Sequence, residues 1–270
     1  MFETPKYWAG TQESFDYVVE AAAKADQMMQ ARAGSRDPFE LPPMHEIKDG
    51  VAMVSIQGPL ITGSAGFMRL FGITGYDDIA EAVLASATSK DAKAIVLNIN
   101  SGGGSVNGCD ECSEFISSIG RLKPVVTYAG GSMASAAYWL GSSAQKRYAS
   151  RTSVVGSLGV ITTHLDRSKQ LEKDGIKATV IRVGQYKALF NPLEPLTEEA
   201  KAQAFDMMSA VNDIFEERVA VNLGTTKARV HDKMGQGREF VGAQAQTIGL
   251  VDGIATLQEV FSVAKALGRG

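Results

Sequence analysis

Apolar and polar positions alternate along the chain with two different periods, and each period predicts an element type. Between residues 11 and 33, Phe15, Val18, Val19, Ala22 and Ala25 fall at helical spacing, and the run stops at Ala33-Gly34-Ser35-Arg36-Asp37-Pro38. This predicts one helix with a Gly and Pro stop. Pro42-Pro43 follow, so the chain is expected to divide into a helical extension and linker over 1–43 and a main domain over 44–270. The extension is expected to pack on a neighbour or to stay mobile.

Beyond residue 44 short apolar runs alternate with helical patterns. Val51–Ile56, Lys93–Asn100, Pro124–Ala129, Val154–Thr163 and Ala178–Val183 read as strands rich in β-branched residues. Tyr76–Ala87, Val106–Ile119, Met133–Leu140, Leu165–Lys173 and Glu198–Asn222 read as helices, with a glycine cluster at 101–108 and Gly130-Gly131 as breaks. Buried apolar strands alternating with helices predict an α/β domain with largely parallel strands. No internal repeat or low-complexity tract interrupts the pattern.

Composition narrows the function. The chain has 270 residues, 27 Lys+Arg against 30 Asp+Glu, and a formal charge of −3. With no sustained basic run, a duplex-binding surface is not expected. No window of about 18 uninterrupted apolar residues predicts a membrane span. The start, Met1-Phe2-Glu3-Thr4-Pro5-Lys6, does not read as a secretory signal. Two cysteines form no disulfide framework, which fits a reducing compartment, so the expected location is cytoplasmic.

Four segments carry candidate chemistry. Ser101-Gly102-Gly103-Gly104-Ser105-Val106-Asn107-Gly108 follows a predicted strand. A dinucleotide site would need a glycine where Asn107 stands and an acidic residue after the next strand, and has neither. A tight turn remains, or peptide N–H groups aimed at a developing oxyanion. Cys109-Asp110-Glu111-Cys112 has redox or half-zinc spacing, but His45, His164 and His231 supply no matching ligands, and thiols three apart on a helix are commonly just packed. Ser143-Ala144-Gln145-Lys146 matches Ser-x-x-Lys without its companion motifs, and Gly-x-Ser-x-Gly is absent. Ser135, in Ser132-Met133-Ala134-Ser135-Ala136-Ala137-Tyr138, follows a buried strand and has small neighbours that let a substrate backbone approach. Taken alone, it would read as a helix N-cap.

Five segments occur in a telling order: Asn100–Val106, Met133–Tyr138, Gly156-Ser157-Leu158-Gly159-Val160, Gly184-Gln185-Tyr186-Lys187, and Gly249-Leu250-Val251-Asp252 after Gly242-Ala243-Gln244-Ala245. Together they resemble the signal peptide peptidase A (protease IV) family of serine peptidases over about residues 46–262. Thr74-Gly75-Tyr76, Leu171–Gly175 and Asn191-Pro192 are similar to its phage-type branch, the head-maturation proteases.

The resemblance implies a ClpP/crotonase-like spiral of β-β-α units preceded by the N-terminal helix. It also implies a Ser–Lys dyad, with Ser135 as nucleophile and Lys187 as general base. A free lysine is protonated at pH 7, and stripping its proton costs about 4.6 kcal/mol, so such a base needs desolvation. By analogy the oxyanion donors are the peptide N–H groups of Gly103 and Ala136, and Ser157 orients Lys187. The family usually has proline where Gly102 stands, which leaves this loop less preorganised. No metal or cofactor is implied. The expected substrate is a polypeptide, a phage capsid or scaffold protein, and the expected state a homo-oligomer, with neither nucleic acid nor membrane as partner. The alternatives are a cytoplasmic bacterial protease of the same family, an acyl-CoA hydratase or isomerase on the same fold, and a non-catalytic assembly partner.

Overall fold

A computed structural model describes residues 8–10, 12–31, 41 and 43–269. The linker expected over 34–43 lies almost wholly outside the described residues. In chain order the elements are β1 (Trp8–Gly10), α1 (Gln12–Ala31), β2 (His45–Lys48), β3 (Val51–Gln57), β4 (Leu60–Ile61), a 3-10 turn (Gly66–Phe71), β5 (Thr74–Gly75) and α2 (Tyr76–Thr88). Next come β6 (Ala94–Ser101), β7 (Gly103–Ser105), α3 (Cys109–Gly120), β8 (Val125–Ala134), α4 (Ala136–Gly141), β9 (Lys146–Ala149), β10 (Val154–Gly156) and α5 (Ser168–Lys173). The chain ends with α6 (Glu198–Leu223), α7 (Lys227–Arg229) running into a π turn (Val230–Met234), β11 (Glu239–Val241), α8 (Gly242–Ile248), β12 (Gly253–Ile254) and α9 (Leu257–Leu267).

The main sheet runs β11-β10-β8-β6-β3-β2, with β9 joined to β8 and β12 to β9. Its central pairs are parallel, and only β2 and β11 run antiparallel to their neighbours. Ala94, Ile95, Val96 and Leu97 of β6 are all buried. A strand covered on both faces needs apolar side chains on both, which is why these runs do not alternate. One face packs on Val260 and Ala264 of α9, the other on α2, α3 and α4 through Ile79, Ile116 and Trp139. Trp139 stacks on Phe215 of α6 at 4.3 Å and 5°.

Two departures from the expected pattern position the site. Gly130-Gly131, read as a break, lies inside β8. Ile99 pairs with Ala129 and Ser101 with Met133, so residues 130–132 bulge out of the ladder. At that bulge β8 exchanges its neighbour β9 for β10, and the bend re-aims the residues that follow. The glycine cluster is likewise a strand, β7, in a second sheet ordered β1-β7-β4-β5. A Cβ on Gly104 would stand 2.0 Å from the Leu60 carbonyl oxygen, so only glycine lets β7 sit this close to β4.

The N-terminal helix packs on its own chain. Val18 and Ala21 of α1 are buried with Trp8, Ile61 and Ile73, and Tyr17 donates to the Phe71 carbonyl at 2.8 Å. Conversely, Ala178–Val183 forms no strand, and Ile181 and Val183 are 92% and 94% exposed. A strand needs a partner, and the chain offers this segment none among the described residues.

Candidate active site

Ser135 occupies the single-residue joint between β8 and α4, at φ 54° and ψ −123°. That is the mirror image of the (−60°, +120°) corner of a type II turn, a region where a Cβ is strained. The joint is held from both sides. The Ser135 N–H donates to the Gly156 carbonyl at 2.7 Å, and its own carbonyl accepts the Trp139 N–H at 2.9 Å. The side chain is nearly covered, at 2% exposure for the residue, and its Oγ makes a long hydrogen bond of 3.4 Å to the Gly159 carbonyl. A strained serine on a sharp strand-to-helix turn is the backbone geometry of a nucleophile elbow, here built without flanking glycines.

Gly103 lies against this joint. At φ +97° a Cβ there would come within 2.9 Å of the Ser135 Cβ. Its N–H is turned onto Ser101 Oγ at 3.1 Å. Tyr76, from Thr74-Gly75-Tyr76, braces the strand from behind by donating to the Ser105 carbonyl at 2.5 Å. Ala136 is the first residue of α4, so its N–H has no acceptor within the helix. Ser157 is also at positive φ, 55°; its N–H donates to the Arg238 carbonyl at 2.7 Å. Ser135 and Ser157 line one cleft of about 760 Å³, together with Gly159, Ile161 and Phe205 of α6.

Lys187 is not brought to that cleft. It closes a turn by donating its N–H to the Gly184 carbonyl at 3.1 Å, and its side chain is exposed. Among the described residues its ammonium has no hydrogen-bond or ion-pair partner. The apolar residues beside it, Ala188, Leu189 and Phe190, line a separate hollow against Ala200 and Met207 of α6.

The other sequence candidates have structural placements. Cys109 and Cys112 are buried, their Sγ atoms facing the carbonyls of Ala136 and Tyr76 at 3.7 and 3.8 Å. Burial pushes both thiols up, Cys112 to about 12, so neither is a ready thiolate. Ser143 shares a 2.7 Å hydrogen bond with Ser113 at the far end of α4. Asp252, of Gly249–Asp252, takes the guanidinium fork of Arg147 at 2.9 and 3.2 Å. No group of three metal-ligating side chains occurs among the described residues, and no described helix is long and apolar enough to cross a membrane.

Two features of the cleft escaped sequence reasoning. His231, 51% exposed, turns Nδ1 onto both oxygens of Glu216 at 3.1 Å, and that carboxylate is 1% exposed. The spacing of fifteen residues across a helix end carries no signal. The other is Trp8–Gly10, whose three residues are too few to show a period; β1 runs beside Gly103.

Such a backbone-lined serine cleft on a parallel α/β spiral defines a fold class. An enoyl-CoA hydratase/isomerase family protein from Silicibacter pomeroyi superposes with a TM-score of 0.51 at 13% identity, over 84% of this chain and 83% of that one. The fold is thus crotonase-like. The sequence profile of peptidase family S49 matches residues 119–269, and the chain belongs to that family. It is 26% identical to the capsid assembly protease C of Escherichia phage lambda over 82% of this chain and 50% of that protein. It is 27% identical to the head-tail preconnector protein GP5 of Enterobacteria phage P21 over 89% of this chain and 46% of that protein. The chain therefore spans about half the length of these relatives.

Proposed function

We propose that this chain is a serine endopeptidase that matures a phage capsid or scaffold protein in the host cytoplasm, with Ser135 as nucleophile and Lys187 as base. The strained strand-to-helix joint at Ser135 carries the reading, because a protein keeps such a backbone where its surroundings over-determine it and where chemistry uses it. Family membership and the names of the two phage relatives support it.

In this reading Ser135 Oγ attacks a substrate carbonyl, and the peptide N–H groups of Gly103 and Ala136 take up the charge on the carbonyl oxygen. The Gly103 N–H first leaves Ser101 Oγ. The C–N bond breaks, the leaving amine receives the proton taken from Ser135, and water then hydrolyses the acyl-enzyme. Lys187 reaches a Ser135 only in an assembled state. Its arm carries Ile181, Val183 and Tyr186 in solvent, and an apolar surface of this kind is one that a second copy would cover. Ser157 would then orient the lysine.

The test is intact-mass spectrometry after incubation with a fluorophosphonate, on wild type, Ser135→Ala and Lys187→Ala. The expected result is one adduct that maps to Ser135 and is lost in both variants. Folded, assembled wild type that takes up no adduct would refute the reading.

A further inference from the structure

The strand β1 lies where a substrate would. Ala9 and Gly10 pair antiparallel with Gly104 and Gly103 of β7, and Trp8 pairs with Ser105. On its other edge the Trp8 N–H donates to the Ile161 carbonyl at 3.2 Å and the Ile161 N–H to the Trp8 carbonyl at 3.0 Å. Three residues from the start of the chain are thus threaded, fully extended, through the gap between the glycine strand and the Gly159–Ile161 segment. Both walls of that gap touch the serine. Gly103 abuts the Ser135 Cβ, and the Gly159 carbonyl holds the Ser135 Oγ. The Ala9 carbonyl oxygen would lie 2.3 Å from a Cβ on Gly103, and Gly10 borders the same cleft as Ser135.

We propose that the gap between β7 and Gly159–Ile161 is the docking groove for an extended polypeptide, and that the chain's own Trp8–Gly10 segment occupies it as an internal competitor. This rests on the reading of Ser135 as nucleophile. The chemistry of the groove is main-chain hydrogen bonding on both edges, the mode by which extended peptides add to exposed strands. At Gly10 the segment has no room for a side chain, because a Cβ there would meet its own Trp8 indole Nε1 at 2.3 Å and the Gly104 nitrogen of the groove wall at 2.9 Å. The competitor is tethered rather than loose. Trp8 is buried against Phe15 of α1, ring centroids 5.5 Å apart and nearly perpendicular, and α1 is fastened to the 3-10 turn through Tyr17. A polypeptide substrate must displace β1 before it can acylate Ser135, so the resting chain is held back in cis.

The test uses the full chain and two probes. A small fluorophosphonate reports whether Ser135 is competent, and an extended peptidyl phosphonate reports whether the groove is open. Gly10→Val drives a side chain into both the Trp8 indole and the Gly104 nitrogen, and Trp8→Ala removes the tether, so either variant frees the groove; both are first checked for a wild-type circular dichroism spectrum. If the segment occupies the groove nine-tenths of the time, the peptidyl probe reacts about tenfold faster in either variant, while the small probe changes little. Adding a synthetic peptide of residues 4–12 in trans returns the variants to the slow rate. Equal peptidyl rates in wild type and both variants would overturn the self-occupied groove and leave the nucleophile reading intact. Failure of both probes on every chain would overturn the two together.

Discussion

Replacing Ser135 by glycine and by alanine separates backbone strain from every other role of this residue. Both changes delete the hydroxyl and its long 3.4 Å bond to Gly159, so their difference reads the backbone alone. At φ 54° and ψ −123° a side-chain-bearing residue stores about 1–3 kcal/mol, which glycine releases and alanine keeps. Against this, glycine has more freedom to lose on folding, about 0.5–1 kcal/mol. Ser135 borders the cleft, so loss of its Cβ leaves no sealed cavity. The net expectation is that Ser135→Gly is more stable than Ser135→Ala by about 0.5–2 kcal/mol, or roughly 1–8 °C in Tm for a chain of this size.

At an ordinary strand or helix-start position the sign would be reversed, with alanine ahead by about 0.5–1 kcal/mol. The assay is urea unfolding followed by circular dichroism, with equal m-values required before the midpoints are compared. Both variants lose the fluorophosphonate adduct, so activity does not distinguish them; stability does. An alanine variant as stable as the glycine variant, or more so, would refute the claim that this joint is strained and would remove the main support for Ser135 as a site built for chemistry.

Arg147 forks onto Asp252 and also donates to the carbonyls of Ser142 and Asn222, so Arg147→Ala is expected to destabilise by about 2–3 kcal/mol, and Arg147→Lys to recover little because an ammonium cannot fork; urea midpoints check both. Burial raises Cys112 to about 12 and also raises Cys109 and Tyr76. Above about pH 9 the unfolded thiols release protons that the folded chain keeps, so stability is full below that pH and falls as pH rises towards 12. The slope is about 1.4 kcal/mol per pH unit for each such group, and Cys112→Ala should flatten a pH series of melts. His231→Ala strips the Glu216 carboxylate of its imidazole partner and is expected to cost about 1–3 kcal/mol. Glu216→Gln in the same chain should restore part of that loss in a double-mutant cycle.

The legible part of this fold is the part with repetition. Ala94–Leu97 announces a strand buried on both faces, and the helical pattern over Glu198–Asn222 announces α6, whose start is capped where Thr197 Oγ1 accepts the Ala200 N–H at 3.1 Å. What stayed hidden depends on close approach between segments far apart in sequence. Gly130-Gly131 looks like a break because glycine permits one, yet parallel pairing on both sides keeps β8 intact and converts the pair into a bulge. The turn at Ser135 carries no Gly-x-Ser-x-Gly pattern, since Met133 and Ala137 stand where the two glycines would and the corner is imposed by Gly156 and Trp139 through the backbone. Ala178–Val183 fails in the opposite way. Its β-branched residues write a strand, but pairing is a property of two segments, and the second is not in this chain's described residues. Lys187 is followed by Ala188-Leu189-Phe190, an apolar run that reads as a means of excluding water from its ammonium, but these residues line a hollow against α6 instead.

The two halves of the proposed dyad therefore differ in kind. Ser135 is fixed by backbone bonds on both sides, whereas Lys187 sits on an arm whose apolar residues Ile176, Ile181, Val183 and Tyr186 face solvent at 55% to 94% exposure. If assembly covers that arm, Ile181 and Val183 contribute about 1.5–3 kcal/mol each on burial. Replacing both by aspartate then weakens association by about 3–6 kcal/mol, or two to four powers of ten in the dissociation constant. Neither residue borders the Ser135 cleft, so the nucleophile's own geometry is untouched and the expected loss is in fluorophosphonate labelling at concentrations where wild type is assembled. Sedimentation velocity run beside labelling across a dilution series tests this directly, because wild type should lose both together as it is diluted. A double variant that sediments as a monomer yet labels at the wild-type rate would show that Lys187 is not delivered by a second copy and that the base must be sought within the chain itself.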